Sequence, residues 1–137
     1  MTIRNPPLQI QIGETMNDPL ALIIEDDEDL AEIFGQALNA AGYATEIVRD
    51  GLAAQTRIKD VTPAIITLDM HIPQISGDRI LQQIRSDQRL LKTRVVVTTA
   101  DAIMAENARG IADLVLIKPI TFSQLRDLSA RLRPRTA

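Results

Sequence analysis

The 137-residue chain is long enough for one compact domain that buries roughly two-thirds of the surface its unfolded form exposes, and a second domain is not expected. With 45% hydrophobic and 24% charged residues it has the composition of an ordinary globular protein, and the absence of cysteine excludes disulfides, thiolate metal sites and cysteine nucleophiles together. A net charge of −3, one Tyr, two Phe and no Trp argue against a nucleic-acid partner, and no apolar run approaches membrane-spanning length.

Residues 1–19 stand apart as a leader. The stretch is polar, carries Pro6-Pro7 and lacks the apolar core of a signal peptide, so a cytoplasmic protein is expected. Leu8, Ile10 and Ile12 alternate with polar residues, which permits an extra edge strand, but a flexible leader is the reading preferred. From there the chain alternates short apolar runs with helical periodicity, the pattern of an α/β domain with a parallel sheet. The first strand, 21–25, runs straight into Glu25-Asp26-Asp27. A first helix follows, with Leu30, Ile33, Phe34, Ala37, Leu38 and Ala41 in one apolar stripe and Gly42 ending it. The strand 44–48 contains Glu46 and reads as an edge. After a weakly striped helix over 51–59, the strand 64–69 ends in Asp69, and Ile80, Leu81 and Ile84 mark a third helix.

The strand 94–98 leads into Thr98-Thr99-Ala100, and a short helix over 102–109 precedes the strand 113–117, which ends in Lys118-Pro119. Apart from 44–48 the strands are nearly continuous apolar runs, as expected where helices cover both faces of a sheet. The fifth helix has a capping box in Thr121 and Gln124, a staple between Ile120 and Leu125, and a stripe of Phe122, Leu125, Leu128 and Leu132. Its basic end, Arg126, Arg131, Arg133 and Arg135, is assigned to interaction with the helix dipole and a solvated face.

Ligands of parallel α/β sheets bind beyond the carboxyl ends of the strands. Glu25, Asp26 and Asp69 all follow strands directly, and they converge if the first and third strands are neighbours. Acids that close destabilise a fold unless a cation sits among them, and an oxygen-only donor set favours a hard ion such as Mg²⁺, with Mn²⁺ as an alternative. The competing explanation for Glu25-Asp26 taken alone is favourable placement at a helix start, and Glu28 and Asp29 are assigned to that. Thr99 and Lys118 add a hydroxyl and an ammonium at two further strand ends.

In that combination and order, the chain from about residue 19 to 132 resembles the receiver domain of bacterial response regulators, also called CheY-like. The resemblance is carried by the acidic pair, by Asp69-Met70-His71-Ile72-Pro73 with Gly77 eight residues past the aspartate, by Thr99-Ala100 and by Lys118-Pro119. It implies a doubly wound five-stranded parallel sheet of order 2-1-3-4-5 with five helices, a leader over 1–19, the receiver over 20–133 and a tail over 134–137. It further implies that Asp69 accepts a phosphoryl group, that Asp26, Asp69 and the His71 backbone carbonyl bind Mg²⁺ with Glu25 acting through water, and that Thr99 and Lys118 contact phosphoryl oxygens beside the small Ala100. Asp27 is a spare acid. The His71 side chain either tunes hydrolysis of the phosphorylated form or is a solvated loop residue.

Two departures from the family pattern stand out. The position three before the lysine, usually aromatic, is Val115, and the interval from Thr99 to Lys118 is shorter by about three residues, which points to a shortened fourth helix. Gln124 and Leu128 replace charges that other receivers use to dimerise, so a monomer or weak dimer is expected. The function implied is a stand-alone phosphoryl-accepting switch, served by a sensor histidine kinase or a histidine phosphotransfer protein and acting on a protein partner, with no catalysis beyond its own phosphorylation and dephosphorylation. The alternatives are a phosphate-independent pseudo-receiver, a receiver cut from a longer regulator, an aspartyl-phosphate phosphatase, disfavoured because His71 stands where a second aspartate would, and a flavin binder, disfavoured by the acids after the first strand.

Overall fold

The computed structural model describes residues 18–135. The alternation of Leu8, Ile10 and Ile12, nearly all of the 1–19 leader and the last two residues of the tail lie outside the described residues. Five strands, β1 (Leu20–Ile24), β2 (Ala44–Val48), β3 (Ile65–Asp69), β4 (Arg94–Thr99) and β5 (Leu114–Ile117), form one parallel sheet of order β2-β1-β3-β4-β5. Five helices connect and follow them: α1 (Glu28–Ala40), α2 (Gly51–Asp60), α3 (Gly77–Arg85), α4 (Ala102–Ala108) and α5 (Phe122–Arg131). The order and element count are those implied by the resemblance, and the strand bounds differ from the expected ones by a residue at some ends.

Side chains of a strand alternate between faces, and here that alternation divides the core in two. Leu22, Ile24, Ile66, Leu68, Val95 and Val97 face Ala54 and Ile58 of α2 and Ile80, Leu81 and Ile84 of α3. Ala21, Ile23, Ile65 and Val96 face Phe34, Ala37 and Leu38 of α1 and Leu125 of α5. Each large side chain so buried contributes about 1.5–3 kcal/mol of transfer free energy. Helix starts are set locally: Asp27, Asp50, Asp101 and Thr121 accept hydrogen bonds from backbone N–H groups of the first turns of α1, α2, α4 and α5. Thr121 accepts from the Gln124 N–H at 3.0 Å, and Ile120 and Leu125 share one apolar cluster, so α5 begins where its capping pattern places it.

Three local expectations need correction. Ile33 of the α1 stripe is 39% exposed, as is Ile47 on β2, because among the described residues β2 is an edge of the sheet and leaves the flank of α1 overhanging. The run 113–117, expected to be covered on both faces, is the other edge: Leu114 and Val115 are half-buried and Ile117 is exposed. Asp113 lies outside the strand, where its carboxylate accepts from the Val95 N–H at 2.7 Å. A 3-10 turn, Gln88–Leu90, also lies between α3 and β4, begun by the Asp87 side chain accepting from the Arg89 N–H. At seven residues α4 is the shortest of the five helices.

Candidate functional site

β1 and β3 are hydrogen-bonded neighbours with Ile24 opposite Leu68, so the residues just past Ile24 and at the end of β3 emerge side by side. Glu25 and Asp69 are nearly fully buried there while Asp26 is exposed, and one carboxylate oxygen from each of the three lies within 4.8 Å of the others. Acids placed so close need compensation. Part of it comes from Lys118, whose Nζ is 2.9 Å from Glu25 Oε1 and 3.6 Å from Asp69 Oδ2. Backbone donors supply more: the His71 N–H donates to Asp69 Oδ1 at 3.0 Å, and the Asp27 N–H to Glu25 Oε2 at 3.2 Å.

That compensation is incomplete for Glu25. Burial, followed by the neighbouring Asp69 charge, pushes its carboxyl up to about 7, against the lowering effects of the Lys118 hydrogen bond and the Asp27 N–H. Among the described residues one ammonium, Lys118, pairs with the two buried carboxylates, the clustered donors are all oxygens, and no sulfur or imidazole joins them. Such a donor set fits a hard divalent cation and would be poor for a soft one.

β4 pairs β3 with Thr98 opposite Asp69, which brings Thr99 to the same end of the sheet. Thr99 is fully buried; its hydroxyl accepts from the Asp101 N–H at 3.0 Å, and its carbonyl accepts from the Lys118 N–H at 2.8 Å. Ala100, next to it, is exposed. Val115 sits opposite Val97 and packs against the core face that α2 and α3 cover. The His71 side chain is exposed and faces Asp101, with Nε2 3.8 Å from Oδ2.

Sequence reasoning missed two contributors. Asp27, taken as a spare acid, caps α1 by accepting from the Leu30 N–H at 3.0 Å and also steadies Glu25 through its own N–H. Asp101 caps α4 and stands beside His71; its position directly after Thr-Thr-Ala and before Ala-Ile-Met-Ala was the available signal. Burial and hydrogen bonding act in opposite senses on Asp101, and the Met104 and Ile103 N–H bonds come first, holding its carboxyl below the usual range. The loop after β3 is held by a close approach: a Cβ on Gly77 would lie 2.5 Å from Met70 Cα, so a glycine is required where α3 starts against the residue next to Asp69.

A family model described as the response regulator receiver domain matches residues 21–130. Among curated proteins, the transcriptional regulatory protein TctD of Salmonella typhimurium is 34% identical over 115 residues, covering 82% of this chain and 49% of that protein. The polar-differentiation response regulator DivK of Brucella ovis is 29% identical over 103 residues, covering 73% of this chain and 84% of that one. The chain spans half or less of the length of the first curated relatives it matches, from 20% to 49%. Among solved structures, the chemotaxis response regulator CheY4 of Vibrio cholerae superposes with a TM-score of 0.77 over 85% of this chain and 99% of its own, and its 19% identity makes this a likeness of fold alone. No helix among the described residues is long and apolar enough to cross a membrane.

Proposed function

This chain belongs to the response regulator receiver domain family, and on that premise we propose that Asp69 is its phosphoacceptor, loaded by a histidine kinase or a histidine phosphotransfer protein. The observation that carries the reading is the convergence of Glu25, Asp26 and Asp69 within 4.8 Å, with the Lys118 ammonium between two of them. In the transfer, a carboxylate oxygen of Asp69 attacks phosphorus as the P–N bond of a phosphohistidine breaks; the leaving imidazole takes the electron pair and a proton, and an acyl phosphate remains. Asp26, Asp69 and the His71 carbonyl would hold a hard divalent cation such as Mg²⁺, with Glu25 acting through water, and the ion would supply the positive charge that the acids lack.

The chain's own residues do the rest. Lys118 turns from Glu25 toward a phosphoryl oxygen, and the Thr99 hydroxyl, which accepts from the Asp101 N–H, donates its own proton to a second phosphoryl oxygen. Ala100 leaves room beside the new group. Because a phosphoryl group shifts a two-state equilibrium only through contacts stronger in one state, these exchanges are the source of the switch. The unit spans residues 20–133, acts as a monomer or weak dimer, and passes its signal on by changed affinity for a protein partner. Its only chemistry is the gain and loss of its own phosphoryl group.

The test is incubation with acetyl phosphate and Mg²⁺ followed by intact-mass measurement. One added phosphoryl group, absent from Asp69→Asn, is the expected result. An unchanged mass would support a receiver that signals by contact alone, and turnover of many phosphate esters would support a phosphatase.

A further inference from the structure

At the opposite end of the sheet from the acids lies a cleft of about 1010 Å³ whose lining includes seven cationic side chains and one carboxylate, Asp113. This local excess of positive charge belongs to a chain whose net charge is −3. Five-residue strands separate the two ends by roughly 17 Å, beyond the screening length of about 8 Å at physiological salt, so the acidic site does little to offset it.

The cations divide into two groups. Arg85, Arg89, Arg94 and Arg133 are structural. Arg85 donates to the Ile111 and Thr93 carbonyls and to Asp113, Arg89 donates to the Ile58 and Val61 carbonyls and to Asp87, Arg94 reaches Asp113, and Arg133 donates to the Gly42 carbonyl. They fix the walls, and Asp113, Asp87 and Asp18, the last 3.7 Å from Arg133, offset three of their four charges. Lys92, Arg131 and Arg135 line the same cleft, are exposed, and have no ion pair or side-chain hydrogen bond among the described residues. Lys92 stands on the wall before β4, and Arg131 and Arg135 stand on the wall formed by the end of α5 and the chain beyond it.

We propose that this cleft binds a linear oligophosphate, either inorganic or the phosphate chain of a nucleotide. A ligand held by unpaired cations from two separate segments of one cleft lining needs several negative charges, and a concavity of ligand-site size calls for dense charge in a compact molecule. Phosphate oxygens also match the paired donors of an arginine fork and the point charge of a lysine. This site is independent of the phosphoacceptor reading, since it shares no residue with the acidic cluster.

The experiment is calorimetric titration of the whole chain with inorganic tripolyphosphate, in EDTA so that no divalent ion recruits phosphate to the acids. One-to-one binding that weakens on the order of tenfold or more in K92S/R131S/R135S, and is unchanged in Arg126→Ser on the outer face of α5, is expected. Because the three positions are exposed, the variant should keep the wild-type urea midpoint; amide shifts of the wild-type protein, expected around residues 90–94 and 131–135, give a reading that does not depend on any variant. A nucleoside triphosphate that binds more tightly than tripolyphosphate would assign the ligand to nucleotides, and equal binding would assign it to the bare phosphate chain. Absence of binding, binding unaffected by the triple substitution, or equal binding of an oligoglutamate of matched charge would overturn the proposal.

Discussion

Glu25→Gln should stabilise the protein at alkaline pH in the absence of divalent metal, and the size of the effect follows from the raised carboxyl. Folding moves that pKa from 4.5 to about 7, with burial the main cause. Between those values the native state holds a proton that the unfolded state releases, so stability falls as pH rises and levels off above about 7. The shift of about 2.5 units corresponds to about 3 kcal/mol in all, of which about 2.5 kcal/mol falls between pH 5 and pH 8. Glutamine keeps the shape and an oxygen that can accept from Lys118, but carries no charge to desolvate. Urea denaturation in EDTA at pH 5 and pH 8 should therefore show wild type losing about 2.5 kcal/mol more than the variant over that range. Adding Mg²⁺ at pH 8 should stabilise wild type by RT ln(1 + [Mg²⁺]/Kd) and narrow the gap. Parallel pH profiles for the two proteins would refute the claim that an uncompensated Glu25 charge is buried here.

Lys118→Met removes the only ammonium among the described residues within 4 Å of Glu25 and Asp69, and should cost about 3–5 kcal/mol at pH 8 and less at pH 5, where Glu25 is protonated, as read by urea midpoints. Gly77→Ala drives a Cβ to 2.5 Å from Met70 Cα; a loss of about 1–3 kcal/mol is expected by thermal unfolding, together with slower labelling by acetyl phosphate because the displaced backbone adjoins Asp69. Tyr43→Phe deletes a buried hydroxyl that donates to the Ser129 carbonyl at 2.9 Å and should cost about 1–2 kcal/mol. The same phenol is pushed up to about 12, mainly by burial, so its contribution should persist at neutral pH and be lost as pH rises through that range.

What could be read from the chain was whatever is encoded locally. The change from apolar run to acid at Ile24-Glu25 and Leu68-Asp69 marks both a strand end and a site residue, and parallel pairing then brings the two together. The capping pattern at Thr121 and Gln124 likewise placed α5. What depended on distance in space was not legible. No local signal says that Lys118 rests on Glu25 more closely than on Asp69, or that Glu25 is buried while Asp26 is exposed. An apolar run looks the same at a sheet edge as at its centre, which is why β5 was read as covered. The basic end of α5 was assigned to the helix dipole because Arg85, Arg89, Lys92 and Arg94, which share its cleft, come from another part of the chain.

The pairing of Lys118 also bears on how a phosphorylated state would reach the rest of the fold. Converting the Asp69 carboxylate to an acyl phosphate raises the charge there from −1 to about −2, and Lys118 then faces a stronger anion than Glu25. Its backbone cannot follow freely, because the Lys118 N–H donates to the Thr99 carbonyl at 2.8 Å. Thr99 in turn is tied through its hydroxyl to the Asp101 N–H, and Asp101 caps α4. Val115 has no ring to rotate, and on the phosphoacceptor reading this chain of hydrogen bonds, from Lys118 through Thr99 and Asp101 to the start of α4, offers the signal a route that needs none. Asp101→Ala should then uncouple the two ends. Labelling of Asp69 by acetyl phosphate should continue, while the amide shifts that phosphorylation produces in residues 102–108 should shrink; shifts of wild-type size in that variant would show that the signal takes another route.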